Sequence, residues 1–311
     1  MKTEINIPTK DKPLAKSKIQ KMKKLFKNAL FLFALLISQS AFSQTISIPD
    51  SISGWQPSWV ASLNGSQAAY NNWSQGGVSS VSGTASSVLT ILFRDGQYGY
   101  GFRTNLKYGQ ANIKGQGVRK TDDVISIRNR FSYNFEEGGN ISVYGMVAFE
   151  TQFDRGYKYD AGPAGQDSLI SNFFAPAYLT EGAGLAYAPS DFFQFQAGLG
   201  LKQTFVLQDE LAPVYGLNPG ENFRNEAGLT TGINFEKAVA QNIVYLSSIQ
   251  TFTNFSQSLS KTDLIWENEI VGQINSLISA SLQFELRYDD DYSSEIQVKQ
   301  VLSAGISVNL Y

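Results

Sequence analysis

Residues 97–110 read QYGYGFRTNLKYGQ, and they alternate. One set, Tyr98, Tyr100, Phe102, Thr104, Leu106 and Tyr108, is largely apolar and aromatic, while Gly99, Gly101, Arg103, Asn105 and Lys107 between them are small or polar. A period of two over this length predicts a β-strand with one apolar and one polar face. The pattern recurs along the chain, giving candidate strands at 58–70, 79–94, 97–110, 122–135, 140–153, 177–188, 192–206, 223–236, 241–254, 263–274, 277–290 and 297–311. Clusters of Gly, Asn, Asp and Ser separate them. From Trp59 onward no convincing amphipathic helix longer than a few turns competes with this reading.

The connections sort by parity. Those at 95–96, 136–139, 189–191, 237–241 and 275–276 are short, whereas those at 71–78, 111–121, 154–176, 207–222, 256–262 and 291–296 are longer. Short turns at one end and long loops at the other are the pattern of outer-membrane barrels. A soluble sandwich has no reason to keep it. Many runs reach ten residues or more, as a tilted strand crossing a bilayer requires, where soluble strands most often have about five or six. In the fourth segment Ser126, Arg128, Arg130, Ser132 and Asn134 face one way, and Ile125, Ile127, Phe131, Tyr133 and Phe135 the other. The expected fold is therefore all-β: a single antiparallel transmembrane barrel of about twelve strands, with short periplasmic turns and long extracellular loops. Its apolar faces meet lipid. Aromatic residues near the strand ends, such as Phe93, Tyr98, Tyr108, Phe135, Phe153 and Tyr187, fit interfacial girdles. The final strand, VLSAGISVNLY, resembles the C-terminal signal read by barrel assembly machinery, although its apolar register ends at Leu310.

The N-terminus carries an export pattern. Lys23, Lys24 and Lys27 precede the apolar run Ala29–Ile37 and then Ala41, Phe42 and Ser43, the order of a secretory signal peptide with cleavage after Ser43. The run is too short to span a bilayer, which takes about 20 residues. Residues 1–43 are thus read as an N-terminal extension and signal, with Met22 the natural start, 44–57 as a periplasmic segment and 58–311 as the barrel, in the outer membrane of a Gram-negative cell.

Composition narrows the chemistry. The 311 residues contain no His and no Cys, so a Ser-His-Asp triad, an imidazole base and an imidazole metal ligand are ruled out. That removes the chemistry of the phospholipase known among twelve-stranded barrels, which uses His beside Ser, and that of an omptin-like protease, which also uses His, and the chain is read as no enzyme, with no catalytic residues, metal or cofactor. A net charge of −2 gives no electrostatic case for nucleic acid.

Two further stretches, GVRKTDDVISIRNRFSYNF (117–135) and SNFFAPAYLTEGAGLAYAPSDFFQFQAGLG (171–200), follow NNWSQGGVSS (71–80). Through the motifs NNWSQGG, RKTDD and FFAPAYL the chain resembles a Bacteroidota outer-membrane β-barrel family catalogued as a domain of unknown function. The resemblance implies an outer-membrane protein and brings no activity and no functional residues.

The charges on the polar faces are the candidate site. Arg103, Lys107, Arg128 and Arg130 cluster on one wall. Glu267, Glu269 and Glu285, with Arg287, fall on a nearly opposite one, and Glu150, Lys202 and Glu226 also face inward. These residues either line a narrow or gated porin-like channel for small polar or charged solutes, with a transverse field across it, or bridge the lumen and fill it. In the second case the protein is a plugged structural or partner-binding barrel acting through its outer loops. The aromatic piece SLISNFFAPAY could fold inward or pack on the rim through Phe173 and Phe174, and DDDY at 289–292 reads as a solvated rim rather than a Ca²⁺ site. Expected partners are outer-membrane lipid, the assembly machinery during biogenesis and a small polar solute.

Overall fold

The computed structural model describes residues 45–69, 79–161 and 165–311. The expected signal segment and the NNWSQGG stretch lie outside the described residues. The alternating segments form β1 (Gly54–Ala68), β2 (Ser80–Asp95), β3 (Tyr98–Ile113), β4 (Gly117–Asn134), β5 (Ile141–Thr151), β8 (Ala177–Ser190), β9 (Phe193–Phe205), β10 (Phe223–Ala240), β11 (Ile243–Asn254), β12 (Asp263–Gln273), β13 (Ile278–Asp289) and β14 (Ser293–Asn309). Between β5 and β8 lies a small hairpin of β6 (Gly156–Lys158) and β7 (Ser168–Ser171). The twelve long strands pair with their neighbours in chain order and close into a barrel through β1 and β14. That seam runs antiparallel from Val60 opposite Asn309 to Gly65 opposite Ala304.

Two expected loops are strand instead. Residues 111–121 hold only a three-residue turn at 114–116, because β3 and β4 go on pairing as far as Ile113 and Gly117. Likewise 291–296 shrinks to a turn ending at Tyr292, and β14 starts at Ser293. The reason is physical: beyond the apolar band a strand needs backbone pairing but no apolar face, so its extension carries no period-two signal. The first strand also starts at Gly54, ahead of residue 58, because Pro57 tolerates a β-edge conformation. Among the described residues, longer connections at this loop end remain after β5, β9 and β11.

Tyr98, Phe131, Leu199 and Leu302 are exposed on the outside, whereas Asn105, Lys107, Ser126, Arg130, Glu267 and Glu269 are buried inside. This inverts a soluble barrel, whose interior is apolar. Aromatic pairs gather toward the turn end, where Trp55 lies 4.6 Å from Phe93 and Tyr98 5.2 Å from Tyr133 between ring centres. Others gather toward the loop end, including Phe205 with Phe223 and Phe149 with Phe174. Over the loop end, Ala175, Val206, Leu211, Ala212, Tyr215 and Leu217 form a separate small core.

Seam closure leaves no room for side chains at one point. A Cβ on Gly305 would collide with the Leu63 carbonyl oxygen across the seam, whereas one on Gly83 comes no nearer than 3.9 Å to any neighbour. Gly305→Val should therefore abolish the heat-modifiable gel mobility of the folded barrel, and Gly83→Val should retain it.

Candidate functional site

Every charged candidate from the alternation points into the lumen, and most of them meet a partner there. Lys107 lies 3.2 Å from Asp122 of β4, and Lys299 of β14 pairs with the same carboxylate. Arg128 reaches Glu150 at 3.5 Å. Arg130 donates to Gln196 Oε1 at 2.7 Å and stacks its guanidinium 4.3 Å above the Tyr144 ring. Glu226 accepts from Arg224 at 3.0 Å and from Asn254 at 2.7 Å. Gln283 donates to Glu269 at 2.9 Å, and Arg287 reaches Glu285 at 3.0 Å. Arg103 of β3 and Glu267 of β12 face this same interior, Glu267 deeply buried in it.

Beside the Lys299–Asp122 pair, a second cross-lumen tie is Lys202 of β9, whose Nζ sits 2.6 Å from Asp263 of β12 and 3.2 Å from Asp289 of β13. Two strands separate β9 from β12 around the wall, so this contact is a chord across the loop end of the lumen. Below it a cavity of about 170 Å³ lies between Thr45, Arg128, Thr230 and Phe252. Above it a cavity of about 470 Å³ opens to the loop end, lined by Asp122, Glu150, Tyr178, Tyr215, Arg287 and Tyr292.

The residues before β1 occupy the other end. Ile46, Ile48 and Ile52, in the segment assigned from sequence to the periplasm, are buried with Leu92 against the inner wall. The wall makes room by lacking side chains, since a Cβ on Gly101 would collide with Ile46 and one on Gly99 would press on Ile48. Arg94 clamps the segment, donating to the Ile48 carbonyl at 2.8 Å and the Pro49 carbonyl at 3.1 Å and pairing with Asp50 at 2.7 Å. Asn134 also holds Asp50, and Gln196 reaches Thr45 at 3.4 Å. Among the described residues no backbone–backbone hydrogen bond ties 45–53 to the wall.

Several lumen residues escape the sequence reading. Arg94, Asp122, Glu236, Asp263, Asp289 and Asp291 sit at strand ends or in turns, where alternation fades, though strand parity already points the first five inward. The three aspartates of DDDY each take a different cation: Asp289 takes Lys202, Asp290 takes Lys261 and Asp291 takes Arg224. At the rim Phe174 packs on Phe149 while Ser171 and Pro176 line the mouth, so the SLISNFFAPAY piece does both things open to it. Nearby, the Arg155 N–H and then the Tyr108 hydroxyl hold the Asp154 carboxyl below its usual range.

Residues 66–157 match the model of a family described as Protein of unknown function (DUF3078). The match takes in positions 71–77 and 119–123 and ends before 173–179. No curated protein matches the chain. Among solved structures, the translocator domain of the autotransporter NalP from Neisseria meningitidis is similar over 93% of this chain and 97% of its own, at 10% identity and a TM-score of 0.38. An outer membrane channel from Pseudomonas putida F1 is similar over 86% of this chain and 98% of its own, at 8% identity and a TM-score of 0.41. No function passes from either to this chain.

The Lys202 chord makes a stability prediction. Its side chain is half-buried at 12% exposure, and removing one partner of a fully buried ion pair costs about 3–5 kcal/mol because the other charge is left behind, an upper bound for this pair. Lys202→Met should lower the unfolding free energy by up to that amount in urea titrations. Combining it with Asp263→Asn and Asp289→Asn should restore most of the loss.

Proposed function

We propose that the chain is an outer-membrane β-barrel channel for small polar solutes, closed in this structure, with residues 45–53 as its gate. Membrane placement is supported by the inverted faces: an apolar outer surface between two aromatic groups and a charged, hydrogen-bonded interior. The observation that carries the gate is the segment itself. It sits in the turn-end mouth without backbone pairing to the wall among the described residues, beside a cavity of about 280 Å³, and apart from Leu92 the wall behind it is polar or small at Gly99, Gly101, Arg130, Ser132, Asn134 and Gln196. A permanent core would present more than one apolar side chain there.

A second reading, a plugged barrel that binds partners through its loops, is favoured by the Lys202 chord and by the small apolar core over the loop end. Conductance separates the two. The chain from Gln44, refolded into a planar bilayer, should be closed or rarely open, and a variant lacking residues 45–53 should show discrete openings. A folded deletion variant that stays silent would favour the plugged barrel. Arg128→Glu with Arg130→Glu in the deletion background should shift the reversal potential toward cation selectivity.

Placement has its own test. Leu282 points outward from mid-strand and pairs with outward Ile270 and Leu302. Leu282→Arg should cost about 2–4 kcal/mol of stability in lipid vesicles if that face meets the bilayer midplane. A change within about 0.5 kcal/mol, usual for a solvated surface, would refute the membrane reading.

A further inference from the structure

The outer face carries several polar side chains, and most of them are satisfied within the wall. Trp59 donates to Ser87 at 3.0 Å, Tyr245 to Asn268 at 2.7 Å and Trp266 to Ser247 at 3.3 Å, while Thr231 and Thr251 bond each other at 2.7 Å. Glu181 of β8 differs. Its parity is outward, with Leu179 and Ala183 along its own strand and Val147 and Leu201 directly across. Among the described residues it has no hydrogen bond and no ion pair. A carboxylate in an apolar band is costly wherever nothing compensates it.

Its complement lies on the same face. Asn129 of β4 shares a register row with Val147 and Glu181, two strands away, or about 10 Å at the usual strand spacing. Asn129 Oδ1 accepts from the Tyr100 hydroxyl at 3.0 Å, and its Nδ2, a donor, has no partner among the described residues. One row nearer the turn end, Phe131 and Leu199, each 63% exposed, stand on either side of Gly145 and Ala183, and a Cβ on Gly145 would meet nothing within 4 Å. The patch therefore holds an unpaired donor, an unpaired acceptor, two apolar knobs and a hollow between them. A two-fold interface uses the same patch twice, so it needs both halves of each contact on one surface.

We propose that the outer face of β4, β5 and β8 is a dimer interface within the membrane, in which Glu181 of one copy accepts from Asn129 of the other. A two-fold axis parallel to the barrel and passing over β5 brings the Val147 side chains of the two copies together and offers each hollow the knobs of its partner. The proposal goes beyond the channel reading and rests on it only for the lipid-facing orientation of this surface.

The absence of Cys from the sequence makes the test direct. Val147→Cys is introduced into the full chain, with Leu302→Cys on β14 as the remote outward control. Both are expressed in cells, and isolated outer membranes are oxidised with copper phenanthroline. Val147→Cys should form a disulfide-linked species of twice the chain mass, at least tenfold above Leu302→Cys, and adding Glu181→Leu with Asn129→Leu should remove most of it. Equal cross-linking at the two positions, none at either, or a cross-link only to another protein would each overturn the proposal. Heat-modifiable mobility and recovery in the outer-membrane fraction are read on the same samples. If the unsubstituted chain also fails these, the membrane reading itself falls; if only the Val147→Cys chain fails, Leu199→Cys in the same patch tests the interface on a chain that assembles.

Discussion

Everything in this molecule depends on closure of the sheet between its first and last long strands. An open twelve-stranded sheet would leave two rows of unpaired backbone N–H and C=O groups, which are costly in hydrocarbon and invite aggregation in water. Pairing β1 with β14 removes both rows at once and fixes which residues look inward. With side chains alternating at a period of two, a one-residue slip anywhere would turn a ring of charges out to the apolar side. The polar interior and the apolar exterior are therefore consequences of one register.

The interior that results is crowded with compensated charge. Lys107, Asp122 and Lys299 share one contact, Lys202 bridges two aspartates, and Arg224 joins Glu226 to Asp291. Such ties do little to stabilise a fold when exposed, but inside a lumen each one also excludes solvent and holds a position. The lumen is narrow because its walls are bound to each other. The short segment held by Arg94 shares no backbone hydrogen bond with those walls among the described residues.

Much of the barrel was legible from residues alone. Strand number and the facing of Arg103, Lys107, Arg128 and Arg130 follow from alternation, because burial on one side of a sheet writes itself into every second residue. Where that constraint lapses the sequence goes quiet. The hairpin extension around Arg119 and Lys120 has no apolar face, so it reads as loop. The ends of strands hide Asp263 and Asp289 for the same reason. Placement of residues 45–53 inside the barrel was not legible at all: Ile46, Ile48 and Ile52 look like any short apolar stretch, and the hollow that receives them is made by glycines on another strand. Contacts across a lumen join positions far apart in the chain, and no local period records them.

The segment held by Arg94 runs directly into β1, the strand that forms the seam. It therefore cannot be enclosed until the last strand of the chain arrives and zips against the first. The contacts that hold it, with Arg94 of β2, Gly99 and Gly101 of β3, Asn134 of β4 and Gln196 of β9, do not involve β14, so closing the seam turns a segment lying on one stretch of wall into one held inside a lumen.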